Sequence, residues 1–215
     1  SAWGVDALAM TAAFLPGAVM IAALSTPMGR LADRIGAAPL LAVGAMLVAL
    51  AQAGLALTAS EALYWTRAVP LLWLSGFGMA LVVAPLTTAV MTSASDAEQG
   101  AASGINNAVA RASSLMAVSL MGRMAAAGYG PITQDTPGFG LVATTPSHIS
   151  ATGTGFAHIA ALAAAIFLIG SVYAAVTDIF AYGIRKQKHV LLHNAYILAQ
   201  RVQRYLGDIV PVDEH

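Results

Sequence analysis

Long apolar runs without charge, separated by short polar segments, dominate the pattern of this 215-residue sequence. A helix needs about 20 mostly apolar residues to cross the roughly 30 Å hydrocarbon core of a bilayer, and four charge-free runs reach that length. A fifth run is interrupted only by Arg111, and one charge is tolerated where a helix faces protein or water. The pattern therefore predicts an all-α, polytopic membrane protein with about five transmembrane helices, at residues 6–29, 36–59, 66–94, 98–126 and 152–180.

The pattern changes at two places outside these spans. Residues 128–150 are polar and rich in Gly, Pro and Thr, which is typical of an irregular loop. The transmembrane region 1–182 is followed by a charged, helix-forming tail, residues 183–215, in which apolar positions alternate spacings of three and four. This predicts an amphipathic tail helix whose apolar seam docks on a partner helix or on anionic lipid. The docking face comprises Leu191, Leu198, Val202 and Tyr205, with Ala195 and Ile209 continuing the seam.

Composition supports lipid as the solvent, since 58% of the residues are hydrophobic and only 9% are charged, against roughly 25% charged in soluble domains. Ten basic residues balance ten acidic ones, so nothing points to a nucleic-acid partner. Without cysteine, and with no paired carboxylates, nucleophile and base, phosphate loop or metal cluster, we expect neither an enzyme nor a cofactor. His189 and His193 have metal-pair spacing but no nearby carboxylate, which favours a solvated helix face.

Basic residues collect on the cytoplasmic side of membrane proteins, and their distribution here predicts an orientation. Arg30 and Arg34 follow the first span, while five basic residues follow the fifth. An odd number of spans puts both groups on one side. We therefore expect the N-terminus and the loop 128–150 outside, the tail in the cytoplasm, and the protein in the inner (cytoplasmic) membrane of a bacterium.

The fourth span carries two stripes at helical spacing. Small residues recur every fourth position from Gly100 to Ala112, a device that lets another helix backbone approach closely. A polar stripe runs beside them, and at bilayer depth it must face protein or a water-filled cavity. Arg111 is equally well explained as a buried structural cation or as part of a substrate path. The polar stripe consists of Ser103, Asn106, Asn107, Arg111 and Ser114.

Glycine and proline inside spans suggest places where helices bend or pack closely. Pro16, Pro70 and Pro85 are expected to loosen their helices, mainly as architecture. Gly76, Gly78 and Pro85 are the best hinge candidates. His158, early in the fifth span, is predicted to be a packed or hydrogen-bonded residue rather than a proton relay.

A charged turn lies between the first two spans, with the sequence Gly-Arg-Leu-Ala-Asp-Arg-Ile-Gly from residue 29 to residue 36. Glycine permits a sharp reversal, and Asp33 is able to accept backbone hydrogen bonds at a helix N-terminus. From these residues alone, a charged loop that obeys the positive-inside rule is the simpler interpretation. The string resembles the loop signature of the major facilitator superfamily, with Ala37 and Ala38 in place of its basic pair. The resemblance implies an electrostatic latch carried by Gly29, Asp33, Arg34 and Gly36.

Segments around the fourth span are similar to the fourteen-span drug:proton antiporter branch of that superfamily. They are Gly76-Phe77-Gly78, Pro85-Leu86-Thr87-Thr88 and residues 96–107 leading to Arg111. The resemblance implies that the chain holds the last five helices of such a transporter, from part of its C-terminal half. It also implies that the proton-coupling carboxylate lies in helices that this chain does not contain.

Two functions follow from this sequence. The first is a transporter-derived membrane subunit that docks into a larger membrane complex through its helices and tail, without transport activity alone. The alternative is the C-terminal part of a multidrug efflux proton antiporter. Alternating access needs two repeats that rock around a site, and five helices supply at most the greater part of one repeat, which slightly favours the subunit. The expected partners are the lipid bilayer and either other membrane subunits or the missing N-terminal half.

Overall fold

A computed structural model describes residues 7–59, 63–92, 99–131, 138–141 and 145–209 of the chain. Its described elements are helices alone: α1 spans Ala7–Ile35, α2 Ala37–Thr58, α3 Val69–Thr92, α4 Gln99–Tyr129 and α5 Pro146–Ile209. A π-helical turn, Tyr64–Ala68, leads directly into α3. The predicted all-α fold is confirmed over these residues.

Four helical segments are long and apolar enough to cross a membrane, namely Thr11–Ile35, Ala37–Thr58, Tyr64–Ala89 and Pro146–Ile179. They correspond to the first, second, third and fifth predicted spans. Helix α4 is long enough to cross a membrane, but its Gly, Ser and Asn residues and two arginines lower its mean hydropathy. It is therefore not among the candidate spans. The chain is therefore a polytopic membrane protein with four candidate spans, and the crossing of α4 stays a prediction.

The connection between α1 and α2 is a single residue, Gly36. Its φ of 91° lies in the left-handed region, which a residue with a side chain adopts only with strain. Gly36 also donates a backbone hydrogen bond of 2.8 Å to the carbonyl of Ala32, closing the last turn of α1. The chain therefore reverses within one residue between α1 and α2.

Helix α3 lies between α1 and α2 and makes most of the contacts among these three helices. Gly76 and Gly78 are two positions apart and so face opposite sides of α3. A Cβ atom added to Gly76 would lie 2.6 Å from Gly17 Cα of α1, and one added to Gly78 would lie 2.8 Å from the carbonyl oxygen of Gly44 in α2. Each crossing therefore depends on a missing side chain, which lets the helix backbones touch.

Contact clustering divides the chain into two compact units, residues 1–174 and residues 175–215. Within the first unit, buried residues of α1, α2, α3 and α5 form one core cluster that includes Ala13, Leu55, Val69 and Ala160. The Ser171 hydroxyl of α5 donates a 2.8 Å hydrogen bond to the Ala42 carbonyl of α2. Small side chains and this interhelical bond hold α5 against α1, α2 and α3, which are called the three-helix group below.

Pro85 lies inside α3 and is fully buried. Proline has no backbone N–H, so the carbonyl four residues earlier loses its helical partner. Two threonines follow, and their hydroxyls donate to carbonyls one turn back, Thr87 to Val83 and Thr88 to Ala84. The α3 helix therefore continues through Pro85 to Thr92, and the two hydroxyls bond carbonyls beside the one that the proline leaves without a helical partner.

Candidate functional site

The polar stripe predicted in the fourth span lies on α4, within its first half. Helical geometry puts Ser103, Asn107, Arg111 and Ser114 within about 80° of one another around the axis, with Asn106 beside them. Ser103 and Asn106 are half-buried, and the other three are exposed. From Ser103 to Ser114 the row extends roughly 16 Å, about half the thickness of the hydrocarbon core.

The described chain leaves most of the row exposed. No side chain of the row forms a hydrogen bond or ion pair with another described residue. Arg111 is exposed, and the two acidic residues whose side chains are described, Asp33 and Asp178, lie near the ends of candidate spans. A buried cation or a part of a substrate path would each need a partner for its charge, and none is found among the described side chains.

The stripe of small residues on α4 is also uncovered. A Cβ atom added to Gly100 or Gly104 would meet nothing within 4 Å, and Ala108 and Ala112 are exposed. This contrasts with Gly76 and Gly78 of α3, where the helix backbones are in contact. The close approach predicted for this stripe is thus absent within the described chain, and the stripe has room for another helix.

The C-terminal end of α4 is packed against α5. Ala125 and Tyr129 are buried, and a Cβ atom added to Gly155 of α5 would lie 2.9 Å from the Ala125 carbonyl oxygen. One added to Gly128 would lie 2.6 Å from the His158 ring, so His158 is in contact with that glycine. Helix α4 is therefore held at its C-terminal end by α5 and also contacts α3, while Asn107, Arg111 and Ser114 are exposed.

The predicted loop motif is for the most part helical. Gly29, Asp33 and Arg34 belong to the last two turns of α1, and Gly36 alone forms the turn. Gly29 has neither a positive φ nor any atom near an added Cβ, so it has no part in the reversal. Asp33 is exposed near the C-terminal end of α1, and no side chain caps the N-terminus of α2. The bond from Asp33 to that helix end is therefore not formed in this structure.

The hinge candidates behave as packing residues here. Gly76 and Gly78 lie at the two helix crossings of α3, and Pro85 is buried inside the same helix. Tight backbone contact is compatible with sliding of one helix past another. The hinge role of these three residues stays a prediction.

The tail residues Leu191, Leu198, Val202 and Tyr205 all fall within α5, whose helical backbone continues to Ile209. Their side chains lie outside the described part of the structure, as do those of His189 and His193. Docking through this seam stays a prediction.

A polar cluster that sequence analysis missed closes the connection between α4 and α5. His148 is 1% exposed, and its Nε2 lies 3.2 Å from the Gly138 carbonyl oxygen. Tyr129 accepts a 3.0 Å hydrogen bond from the Gly138 N–H, and its ring meets those of His148 and Phe139 edge to face. The cluster ties the loop back to both helices.

The start of α5, beside this cluster, is signalled in the sequence by the dipeptide Thr145-Pro146. Thr145 precedes α5 and accepts the His148 backbone N–H at 3.2 Å, as an N-cap residue does for the third residue of a helix. Proline is favoured at the first helical position. The helix therefore begins at Pro146, ahead of the predicted start at residue 152, and the loop is correspondingly shorter than 128–150.

Residues 2–119, more than half of the chain, match the Major Facilitator Superfamily. No curated protein and no solved structure matches the chain significantly. The chain belongs to the major facilitator superfamily, whose members are typically transporters rather than enzymes. The matched region ends within α4 and includes the charged turn, the three-helix group and the polar row.

Proposed function

We propose that this chain contributes to a secondary transporter of the major facilitator superfamily, and that the polar row of α4 lines its solute path. The observation that carries this proposal is that Asn107, Arg111 and Ser114 of the row are exposed, while the buried residues of α4 lie at its C-terminal end. Insertion of one arginine at mid-bilayer costs about 2.5–3.5 kcal/mol. A row that includes Arg111 is therefore favoured on a water-filled path rather than against lipid.

The small-residue stripe supports the same assignment from the other side. Because Gly100 and Gly104 have open space beside them, a further transporter helix can pack there and leave the adjacent polar row facing the path. Alternating access in this superfamily uses two repeats around a central site, so the helices of the other repeat would complete the path.

The finer proposal is a multidrug efflux proton antiporter, and it rests on the order of motifs that resemble the fourteen-span branch. The polar row offers hydroxyl and amide groups and one cation, which can form weak hydrogen bonds with solutes of different structure. The two acidic residues whose side chains are described, Asp33 and Asp178, lie at span ends. Under this proposal the proton-coupling carboxylate comes from helices beyond the described residues.

Cysteine labelling in cells that express the protein tests the path. The sequence has no cysteine, so single variants need no altered background. We expect S103C, N107C and S114C to react with a membrane-impermeant thiosulfonate at least about ten-fold faster than cysteines on the opposite face. The matched controls are I105C, V109C and M116C, whose native side chains are 65%, 58% and 73% exposed in the structure.

Equal labelling rates on the polar face and on the opposite face would overturn the path assignment. Both faces contain exposed positions in the described chain, so exposure there does not by itself predict a difference. Protection of the row by a transported drug would support the antiporter. An efflux assay then compares R111Q with R111K, and we expect transport to fall more in R111Q because it lacks the charge. Efflux unchanged in R111Q would remove Arg111 from the path.

A second candidate is the non-transporting subunit that docks into a membrane complex. The observation in its favour is that α5 continues as helix to Ile209, well past the candidate span that ends at Ile179. Deletion of residues 183–215 separates the candidates. Loss of co-purifying membrane proteins with no drug efflux in the intact strain supports the subunit, whereas efflux that survives the deletion supports the transporter.

A further inference from the structure

We infer that the face of α1 near its C-terminal end binds the phosphate headgroup of an anionic phospholipid. Pro27, Arg30, Leu31 and Arg34 line a groove of about 300 Å³, called the α1 groove below. Their spacings of three, four and seven residues put them on one side of the helix. Two guanidinium groups thus stand one turn apart over an apolar floor.

The depth of the α1 groove fits a headgroup. The candidate spans Thr11–Ile35 and Ala37–Thr58 contain 25 and 22 residues. At about 1.5 Å per residue they are roughly 37 and 33 Å long, slightly more than the roughly 30 Å hydrocarbon core. Because one residue, Gly36, joins them, the turn emerges only just beyond the acyl chains. Arg34 therefore lies at the level of the lipid phosphates, and Arg30, one turn deeper in the span, reaches that level through its long side chain.

The charge of the α1 groove is not neutralised by the described protein. Arg30 and Arg34 are both exposed, and neither forms an ion pair with a described residue. Asp33 is exposed too, but it lies about 60° around the helix from Arg30 and outside the groove lining. A phosphate diester presents paired oxygens that match the planar fork of a guanidinium group.

The apolar floor favours a lipid over free phosphate. Leu31 is partly buried and packs against the core cluster of Ala32, Leu40 and Leu81. The apolar floor is therefore part of the packed three-helix group. An acyl chain attached to the bound phosphate would lie along Pro27 and Leu31, whereas inorganic phosphate would leave this surface unused. An anionic headgroup is preferred to a zwitterionic one because a choline cation would be placed near two arginines.

The test uses the full chain in phosphatidylcholine nanodiscs with increasing phosphatidylglycerol, and native mass spectrometry measures the lipid retained. One basic residue at a membrane surface contributes about a five-fold change in anionic lipid binding. We expect R30Q and R34Q each to weaken retention of phosphatidylglycerol about five-fold, and the double variant about 30-fold. R30K/R34K keeps the charge but loses the fork, so its retention should fall between wild type and R30Q/R34Q.

The matched control R67Q/R123Q removes two cations outside the α1 groove and should lower retention less than R30Q/R34Q does. Equal retention by R30Q/R34Q and this control would overturn the inference. Displacement of the lipid by millimolar inorganic phosphate would also overturn it, since the groove would then be a free-anion site. Thermal unfolding of each variant in phosphatidylcholine alone verifies that the fold is intact, and the single variants serve if the double variant unfolds. The result does not depend on whether the protein transports a solute.

Discussion

The crossing of α2 and α3 offers a quantitative test of how this protein is held together. In Gly78→Ala the new Cβ would lie 2.8 Å from the Gly44 carbonyl oxygen, 2.8 Å from Val48 Cγ2 and 3.0 Å from Val48 N. Ordinary van der Waals contact begins at 3.4 Å. Two of these three atoms belong to the backbone of α2, so the helices must separate by about 0.6 Å rather than repack a side chain.

The cost follows from two opposing terms. Overpacking of a close contact costs about 1–3 kcal/mol. Replacing glycine by alanine inside a helix returns about 1 kcal/mol through propensity. G78A is therefore expected to be destabilised by about 0–2 kcal/mol. At Gly104, where no atom lies within 4 Å, the propensity gain alone remains, so G78A and G104A should differ by the steric cost of about 1–3 kcal/mol.

Gly54 supplies an intermediate case. A Cβ atom there would lie 2.7 Å from Leu71 Cδ2, the far end of a flexible side chain that can rotate away. Unfolding of the full chain in neutral detergent, followed by circular dichroism, should rank the variants G104A, G54A and G78A from most to least stable. If G78A matches G104A within about 0.5 kcal/mol, the backbone contact is not as tight as the structure has it and the reasoning fails.

Two further predictions concern the hydrogen bonds that hold α5. Ser171→Ala removes the 2.8 Å bond to the Ala42 carbonyl. Its free energy of unfolding in detergent should be lower by about 0.6 kcal/mol, and by at most about 1.7 kcal/mol, than that of the exposed control S113A. Equal stability of the two variants would contradict this prediction. Tyr129→Phe removes the acceptor of the Gly138 N–H, so hydrogen exchange at that amide should become about five-fold faster, and an unchanged rate would show that the bond is not formed.

The helices themselves were largely readable from the residue order. The charge-free runs predicted four segments that the structure also has as apolar helices, because a run of that length without charge has no favourable state in water or as exposed coil in lipid. The predicted boundary is less accurate at α5, which begins at the Thr145-Pro146 start signal and not at residue 152. Capping residues act locally, so that error was avoidable.

Site residues were predicted with mixed success for a physical reason. The polar row on α4 is a one-dimensional pattern, and the helix puts it on one face as expected. Gly29 and Gly36 were treated alike in the sequence, but only Gly36 adopts the left-handed conformation that the turn requires. Two glycines look the same until the path of the chain is known. The cluster around His148 joins residues ten and nineteen positions apart, a contact that periodicity does not reveal.

The order of residues alone established that this is a helical membrane protein, because hydropathy and helical period are properties of each segment by itself. Its family resemblance likewise depends on local strings such as the charged turn. Which small residues become contact points was decided only by the packing of the helices. Gly76 and Gly78 touch the backbones of neighbouring helices, while Gly100 and Gly104 on α4 touch nothing described, since close approach depends on where a second helix lies and that information is not contained in either helix alone.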